Sequence, residues 1–222
     1  MNRRIVGSAP STARAALACL GLAALLASGA DDVGASNPKP DPKSKKSARY
    51  LFASIPWLTA GDSLAEALGA RGYKPVPGGT QKDRRQFEGR LFERWTMITA
   101  LLDDRARVVR WDISIPAPQQ AGRDPYLAQR PVYDDAVVEM EGKYGRRRWY
   151  SDQFRFPYNK GDGREARALE EEKAKIRSEW VAGSGDRMLL ALDQRVSLTL
   201  VYESPEWAAA EKERRKRKAQ DL

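Results

Sequence analysis

The chain has 222 residues, 39 of them basic and 30 acidic, and it contains a single cysteine and no histidine. These counts exclude an imidazole base or metal ligand and an intramolecular disulfide. Hydrophobic residues make up 41% of the chain, so we expect an ordinary hydrophobic core instead of a disulfide framework.

Residues 1–30 have the layout of an export signal. Three arginines come first, an apolar run over 15–27 follows, and small residues end at Ala30. The run is shorter than the roughly 20 residues that span a bilayer, so we expect cleavage, with an uncleaved anchor helix as the alternative. Cleavage leaves 36 basic against 30 acidic residues, a net charge of +6, and no cysteine. No transmembrane segment is then expected.

The type of signal is less sharply defined than its presence. Arg3 and Arg4 fit a twin-arginine signal, but Ile5 and Val6 match the rest of that pattern poorly, so ordinary secretion is favoured. Cys19 lies near the start of the apolar run, whereas an acylated cysteine would close it. We therefore expect a bacterial periplasmic or secreted protein.

Composition divides the rest of the chain into three parts. Residues 31–48 are rich in proline and lysine and poor in large apolar residues, which predicts a disordered tether. Residues 49–203 are long enough to form one domain, and 204–222 are a charged C-terminal helix or tail. Outside this tail, acidic and basic residues nearly balance, so nucleic acid is not an expected partner.

The first half of the domain combines a helix with strands. A helix over 63–70 opens with a capping box, in which Ser63 precedes a glutamate by three positions. Apolar and aromatic residues over 84–102 predict strand structure, and 103–106 predicts a turn. Strict alternation of apolar and polar residues over 109–115 indicates an antiparallel strand with one buried face.

The second half has the same kinds of element. In chain order the patterns predict a helix over 133–144, a strand over 147–158, a loop over 159–163, a helix over 164–175, and a hairpin of 187–192 with 196–202. Glu171 and Lys175 have the spacing of an ion pair within the third helix. Ser204 and Pro205 are a start signal for a C-terminal helix, which we expect to leave the domain after Ala210.

The order of elements in 57–116 is similar to that in 133–203, and the segments 101–105 (LLDDR) and 191–195 (ALDQR) are alike. We therefore predict an α+β fold, mainly an antiparallel sheet packed against short helices, with a tandem duplication of a helix-plus-strands unit. Chance similarity is the alternative to duplication.

In this order of elements the chain resembles small exported bacterial α+β proteins built from tandem helix-plus-sheet units, of which the β-lactamase-inhibitor proteins are the known example. The turn Lys143-Tyr144-Gly145 and the segment 201–204 (VYES) also resemble those of uncharacterised exported proteins. Neither resemblance implies an activity.

Carboxylates are the remaining candidates for acid–base chemistry, but they stand where turns and helices use them. The paired ones fall at 103–104, 134–135 and 170–172. In the loop, Asp162 and Glu165 fit a calcium site only loosely. We therefore predict neither an enzyme, nor a cofactor, nor a metal site.

Basic and aromatic residues mark two candidate binding segments. They are Arg146, Arg147, Arg148, Trp149 and Arg155 in one segment, and Arg214, Arg215, Lys216, Arg217 and Lys218 in the other. The leading hypothesis is an exported, non-enzymatic protein whose sheet face or edge binds an envelope protein or polymer. The alternatives are a carboxylate-dependent enzyme acting on a cell-wall polymer and a protein whose basic segments bind an anionic envelope surface.

Overall fold

The computed structural model describes residues 49–118, 122 and 124–220, the last four by their backbone alone. The predicted export signal (1–30) and tether (31–48) lie outside the described residues. The described part forms an eight-stranded antiparallel sheet with four α-helices. This architecture confirms the α+β class predicted from the sequence.

In chain order the helices are α1 (Leu64–Gly69), α2 (Pro125–Tyr144), α3 (Glu165–Glu170) and α4 (Trp207–Gln220). The strands are β1 (Lys74–Gln81), β2 (Arg84–Leu91), β3 (Arg94–Leu102), β4 (Val108–Ile115), β5 (Trp149–Phe154), β6 (Ala174–Val181), β7 (Arg187–Leu192) and β8 (Leu198–Glu203). Across the sheet they follow the order β1-β2-β3-β4-β8-β7-β6-β5, so β1 and β5 are the edge strands. Two four-stranded meanders thus meet at β4 and β8, while their origin in a duplication stays a prediction.

The sheet has one covered face and one open face. Successive side chains of a strand point to opposite faces. In β4, Trp111, Ile113 and Ile115 are buried, whereas Arg110 and Asp112 on the other side are only half-buried. Buried side chains of α1, α2 and α3 pack with the first set in one core. We call the covered side the core face and the other the open face.

Two strands are absent from the predicted elements. Strand β1 contains Pro75 and Pro77, which are rare in strands except at edges, and its pairing with β2 is irregular between Pro75 and Thr80. Strand β6 begins inside the stretch predicted as the third helix. That helix, α3, ends at Glu170, and the Lys173 main chain donates a hydrogen bond back to Ala168.

The predicted pair of Glu171 with Lys175 is therefore wrong. Glu171 accepts a hydrogen bond from Arg167, which lies four residues before it. Lys175 belongs to β6, where it pairs in register with Gln153 of β5. The residues with helical charge spacing thus lie in a turn and a strand.

The helix starts also differ from the prediction. Helix α2 begins eight residues before position 133, because the Asp124 carboxylate accepts a hydrogen bond from the Tyr126 main chain and Pro125 takes the first helical position. Helix α1 lies where it was predicted, but Ser63 makes no side-chain cap because a 3-10 turn precedes it. Strand β5 ends at Phe154, four residues before the predicted end.

The C-terminal helix, predicted to leave the domain after Ala210, returns to the sheet instead. The Trp207 ring lies 4.8 Å from the Arg110 guanidinium and 5.5 Å from that of Arg214. Arg214 also donates a 2.7 Å hydrogen bond to the main-chain carbonyl of Leu102. Helix α4 therefore lies against the β3–β4 part of the sheet at least as far as Arg214.

The two faces of β7 provide a matched pair of substitutions. Leu190 is fully buried on the core face, whereas its neighbour Leu189 is half-buried on the open face. Leu190→Ala should lower the free energy of unfolding by about 2–5 kcal/mol, and Leu189→Ala by less than about 1 kcal/mol. Urea unfolding at neutral pH measures both, and equal losses would contradict the assignment of the faces.

Gly89 and Gly142 provide a second pair. A Cβ atom at Gly89 in β2 would lie 2.3 Å from Cδ1 of the buried Tyr73 ring, whereas one at Gly142 in α2 meets nothing within 4 Å. We expect Gly89→Ala to destabilise by about 1–3 kcal/mol through overpacking. Gly142→Ala should stabilise by about 0.5–1 kcal/mol because alanine favours the helix. Thermal unfolding of the two variants tests this opposition of sign.

Candidate binding surface

Strand β5 brings two aromatic side chains to the end of the sheet. Trp149 is 40% exposed and Tyr150 is 63% exposed. Because neighbours in a strand point to opposite faces, Trp149 lies on the open face and Tyr150 on the core face, where it is paired with the buried Ser178 of β6. Both rings therefore flank the same edge, one on each side.

The Trp149 ring is held among cations of β6. The Arg177 guanidinium lies 4.4 Å and the Lys175 ammonium 5.4 Å from its centroid. The sequence placed Trp149 among guanidinium groups, but it pointed to Arg146–Arg148 as their source. Lys175 and Arg177 were missed because β6 was not predicted. The charged residues at the alternate positions 175, 177 and 179 were the signal for that strand.

Arg147 has a positioning role on the other side of β5. Its guanidinium lies 4.6 Å from the Tyr150 centroid, 3.3 Å from a Glu141 carboxylate oxygen, and donates a 3.1 Å hydrogen bond to the Ser178 hydroxyl. The same hydroxyl is 2.8 Å from that of Tyr133 in α2. Arg147 thus connects α2 to β6 and holds the Tyr150 ring beneath it.

Arg146 and Arg148 differ from Arg147 in having exposed side chains with no carboxylate partner among the described residues. With Arg147, Glu141 and Tyr150 they line an open cavity of about 510 Å³ beside β5. Glu141 is already engaged by Arg147, so the charge left over in this cavity is positive. An anionic group is the chemical complement of such a cavity.

The other predicted basic residues are not part of this cluster. Arg155 is exposed beyond the opposite end of β5, about 20 Å from Arg148 along an extended strand. Arg214, Arg215 and Lys216 lie on α4, which packs near β4, four strands away from β5. The side chains of Arg217 and Lys218 lie outside the described residues. The structure thus keeps Arg146, Arg147 and Arg148 at one cavity, places Trp149 on the opposite face of β5, and separates all four from the tail.

A chain of ion pairs crosses the open face from β4 to β6. Its successive N–O distances are 2.6, 2.8, 3.3, 2.9 and 3.9 Å, and its members are Asp112, Arg110, Glu203, Arg187, Glu179 and Arg177. Such solvated pairs contribute little to stability. Their consequence is that Asp112, Glu203 and Glu179 are engaged by arginines, and that Arg177 is held in place beside Trp149.

Two carboxylates of the described domain, Asp103 and Asp152, serve a turn and ion pairs. Burial would raise the pKa of Asp103, but hydrogen bonds from the Arg107 side chain and from the main chains of Arg107 and Arg105 lower it. Burial likewise opposes the ionisation of Asp152, and hydrogen bonds from Arg130 and Lys160 lower its pKa. These contacts stabilise the charged form, which suits an ion pair better than a proton donor.

Asp162 and Glu165, the two residues that fit a calcium loop loosely, accept hydrogen bonds from the main chain of their own loop. Asp162 accepts hydrogen bonds of 2.9 Å from the main chains of Asn159 and Arg164, and Glu165 accepts one from Gly161. Both carboxylates therefore close the loop through N–H donors. Among the described residues, the acidic side chains form no group of three that could hold a metal ion.

Comparisons with protein-family models, with curated proteins and with solved structures found no significant match to the chain. Within the described ranges, no helix is long and apolar enough to cross a membrane.

Asp152 gives the free energy of unfolding a pH dependence that can be measured. The pKa of Asp152 is lower in the folded protein than in the unfolded chain, where it is about 4. The ionised carboxylate therefore stabilises the fold fully above pH 4, and this contribution is lost as the pH falls through the pKa of the folded state. Asp152→Asn should therefore cost about 1 kcal/mol at pH 7 and progressively less below pH 4. Urea unfolding across this range measures the difference. The exposed Asp135→Asn is the control, and an equal, pH-independent loss in both variants would refute the assignment.

Proposed function

We propose that the protein is an exported, non-enzymatic binding protein whose partner contacts the end of the sheet at β5. We call this region the β5 surface, and its residues are Arg146, Arg148, Trp149, Tyr150, Lys175 and Arg177. The observation that carries the proposal is the pair of exposed aromatic rings, one on each side of β5, each stacked with a cation. The export part of the proposal is supported by the pattern of residues 1–30.

The composition of the β5 surface is that of a protein interface. Tryptophan, tyrosine and arginine are the residues most enriched among those that dominate binding energy. Arg147 and Arg177 hold the Tyr150 and Trp149 rings before any partner arrives, which lowers the entropy lost on binding. An edge of this kind suits an envelope protein or a polymer that runs along the strand.

The two other hypotheses have less structural support. A glycoside hydrolase needs a carboxylic acid with a raised pKa, whereas the pKa values of Asp103 and Asp152 are lowered by their partners. Binding to an anionic surface is supported by Arg146 and Arg148, each of which could contribute about 1 kcal/mol near acidic lipid. Arg214, Arg215 and Lys216 of α4 lie four strands away from β5, so they would not contact the same patch of an anionic surface as Arg146 and Arg148.

Trp149→Ala tests the proposal against a matched control. Trp95 is the other exposed tryptophan of the open face, 49% exposed, and it lies on β3 in the other half of the sheet. Immobilised wild-type and Trp95→Ala proteins should retain the same envelope or extracellular component. Trp149→Ala should retain at least tenfold less of it, because a central aromatic contact is worth 2 kcal/mol or more. Quantitative mass spectrometry and sugar analysis measure the retained material.

Equal retention by all three proteins would contradict the placement of the binding site at β5. Turnover of the retained polymer, abolished by substitution of a carboxylate, would contradict the non-enzymatic function. Co-sedimentation with acidic but not neutral vesicles, unchanged by Trp149→Ala and lost at high salt, would favour the anionic-surface alternative.

A further inference from the structure

We propose that β5 accepts an acidic, extended segment of another protein as a ninth strand of the sheet. This inference rests on the proposed function and names the chemistry of its partner. It follows from a difference between the two sheet edges, from the charge that β5 leaves unmatched, and from the side-chain sites on its two faces.

The two edges differ in how they are protected. Strand β1 carries Lys74, Pro75 and Pro77, and its register with β2 is irregular. Proline, lysine and irregular pairing are the usual means by which edge strands avoid further pairing. Strand β5 (WYSDQF) has none of these, and all six of its residues pair with β6 in unbroken register. One end of the sheet is therefore closed to another strand and the other is open.

The outward main-chain groups of β5 can be assigned from its pairing. Arg155 donates a main-chain hydrogen bond to Lys173, directly beyond the register of β5 and β6. Main-chain groups of an antiparallel strand point alternately towards and away from a given neighbour. Tyr150, Asp152 and Phe154 therefore direct their N–H and C=O groups outwards. Within the described part of the chain, no strand lies on that side.

The charge of the strand does not protect this edge either. Asp152 is the only charged residue of β5, and its carboxylate lies 3.1 Å from Arg130 and 2.5 Å from Lys160. It is thus neutralised on the core face by cations of α2 and of the following loop. An incoming strand would meet a matched ion pair and not a free carboxylate.

The unmatched charge around β5 is positive. Arg146 and Arg148 lie at the start of β5 and have no carboxylate partner among the residues that the structure describes. Lys175 lies beside Trp149 on the open face. Two copies of this chain pairing antiparallel through β5 would bring Arg148 of one copy near the exposed Arg155 of the other, and like charges across a strand pair destabilise it. An acidic segment of a different protein has the complementary charge and is therefore the favoured occupant.

The side chains of an added strand would find different sites on the two faces. Alternate residues would point to the core face, beside Tyr150 and the 510 Å³ cavity with its arginines, and to the open face, beside Trp149. In strand addition, main-chain hydrogen bonds supply affinity and such alternate sites supply specificity. The basic cavity assigns acidic residues to the core face of the added strand.

A hexapeptide of alternating glutamate and valine, capped at both ends, probes this edge. Added to the purified, ¹⁵N-labelled protein, it should slow amide hydrogen exchange at least tenfold at Tyr150, Asp152 and Phe154. The same peptide N-methylated at every glutamate keeps the charge but loses the main-chain donors that face β5 in an antiparallel added strand, so it should bind at least tenfold more weakly. The lysine–valine analogue should not bind. Arg148→Glu should weaken the acidic peptide at least tenfold, whereas Arg90→Glu on β2 should not.

Equal binding of the methylated peptide, or binding without protection of the β5 amides, would overturn strand addition. A failure of the acidic peptide to bind at millimolar concentration would do the same. Dimers that protect these amides without any peptide would make a second copy the occupant. In each case loss of the retained partner in Trp149→Ala would still support the proposed function, so the two hypotheses fail separately.

Discussion

The pairing of β4 with β8 is the constraint on which the rest of the structure depends. It joins the two meanders through six residue pairs, from Arg110 with Glu203 to Ile115 with Leu198. Its apolar positions form the middle of the core, and its polar positions start the ion pairs of the open face. Once this register is set, alternation determines the face of each residue in the neighbouring strands. A shift by one residue would bury Arg110 and expose Trp111.

The sequence reveals those elements whose two sides have different surroundings. Strands β4 and β8 alternate clearly because one side is buried and the other is solvated, and α1 has a clear apolar stripe. Strand β6 is harder to recognise because Ser178, although buried, is polar and is bonded to Tyr133 and Arg147. Strand β1 is hidden by its prolines. Ser178 is accommodated in β6 by its partners Tyr133 and Arg147, and the prolines are accommodated in β1 because that strand lies at the sheet edge. Neither the partners nor the edge position can be read from the local sequence pattern.

The candidate site illustrates the same limit. Sequence proximity grouped 146–149 and predicted Trp149 as an outward residue beside cations; in the structure its cations are those of β6. Sequence proximity could not identify Lys175 and Arg177 as neighbours of Trp149. These residues contact Trp149 across the β5–β6 pair, and the register of that pair cannot be read from the local sequence. Nor could sequence proximity separate Arg147, which is engaged by Glu141 and Ser178, from its two neighbours in the chain. Three consecutive arginines thus have two different roles, set by the contacts of α2 and β6.

The central position of β8 has a consequence for how the sheet forms. Of the eight strands it is the last to be synthesised, yet it lies between β4 and β7. Each meander can begin to pair through local hairpins, but the seam between them needs residues about 90 positions apart, and such non-local closure is slow. The two halves therefore cannot join before β8 is synthesised. Until β8 pairs with β4, the main-chain N–H and C=O groups on that edge of β4 stay unpaired. Conditions that delay this step should favour association of incomplete chains through β4.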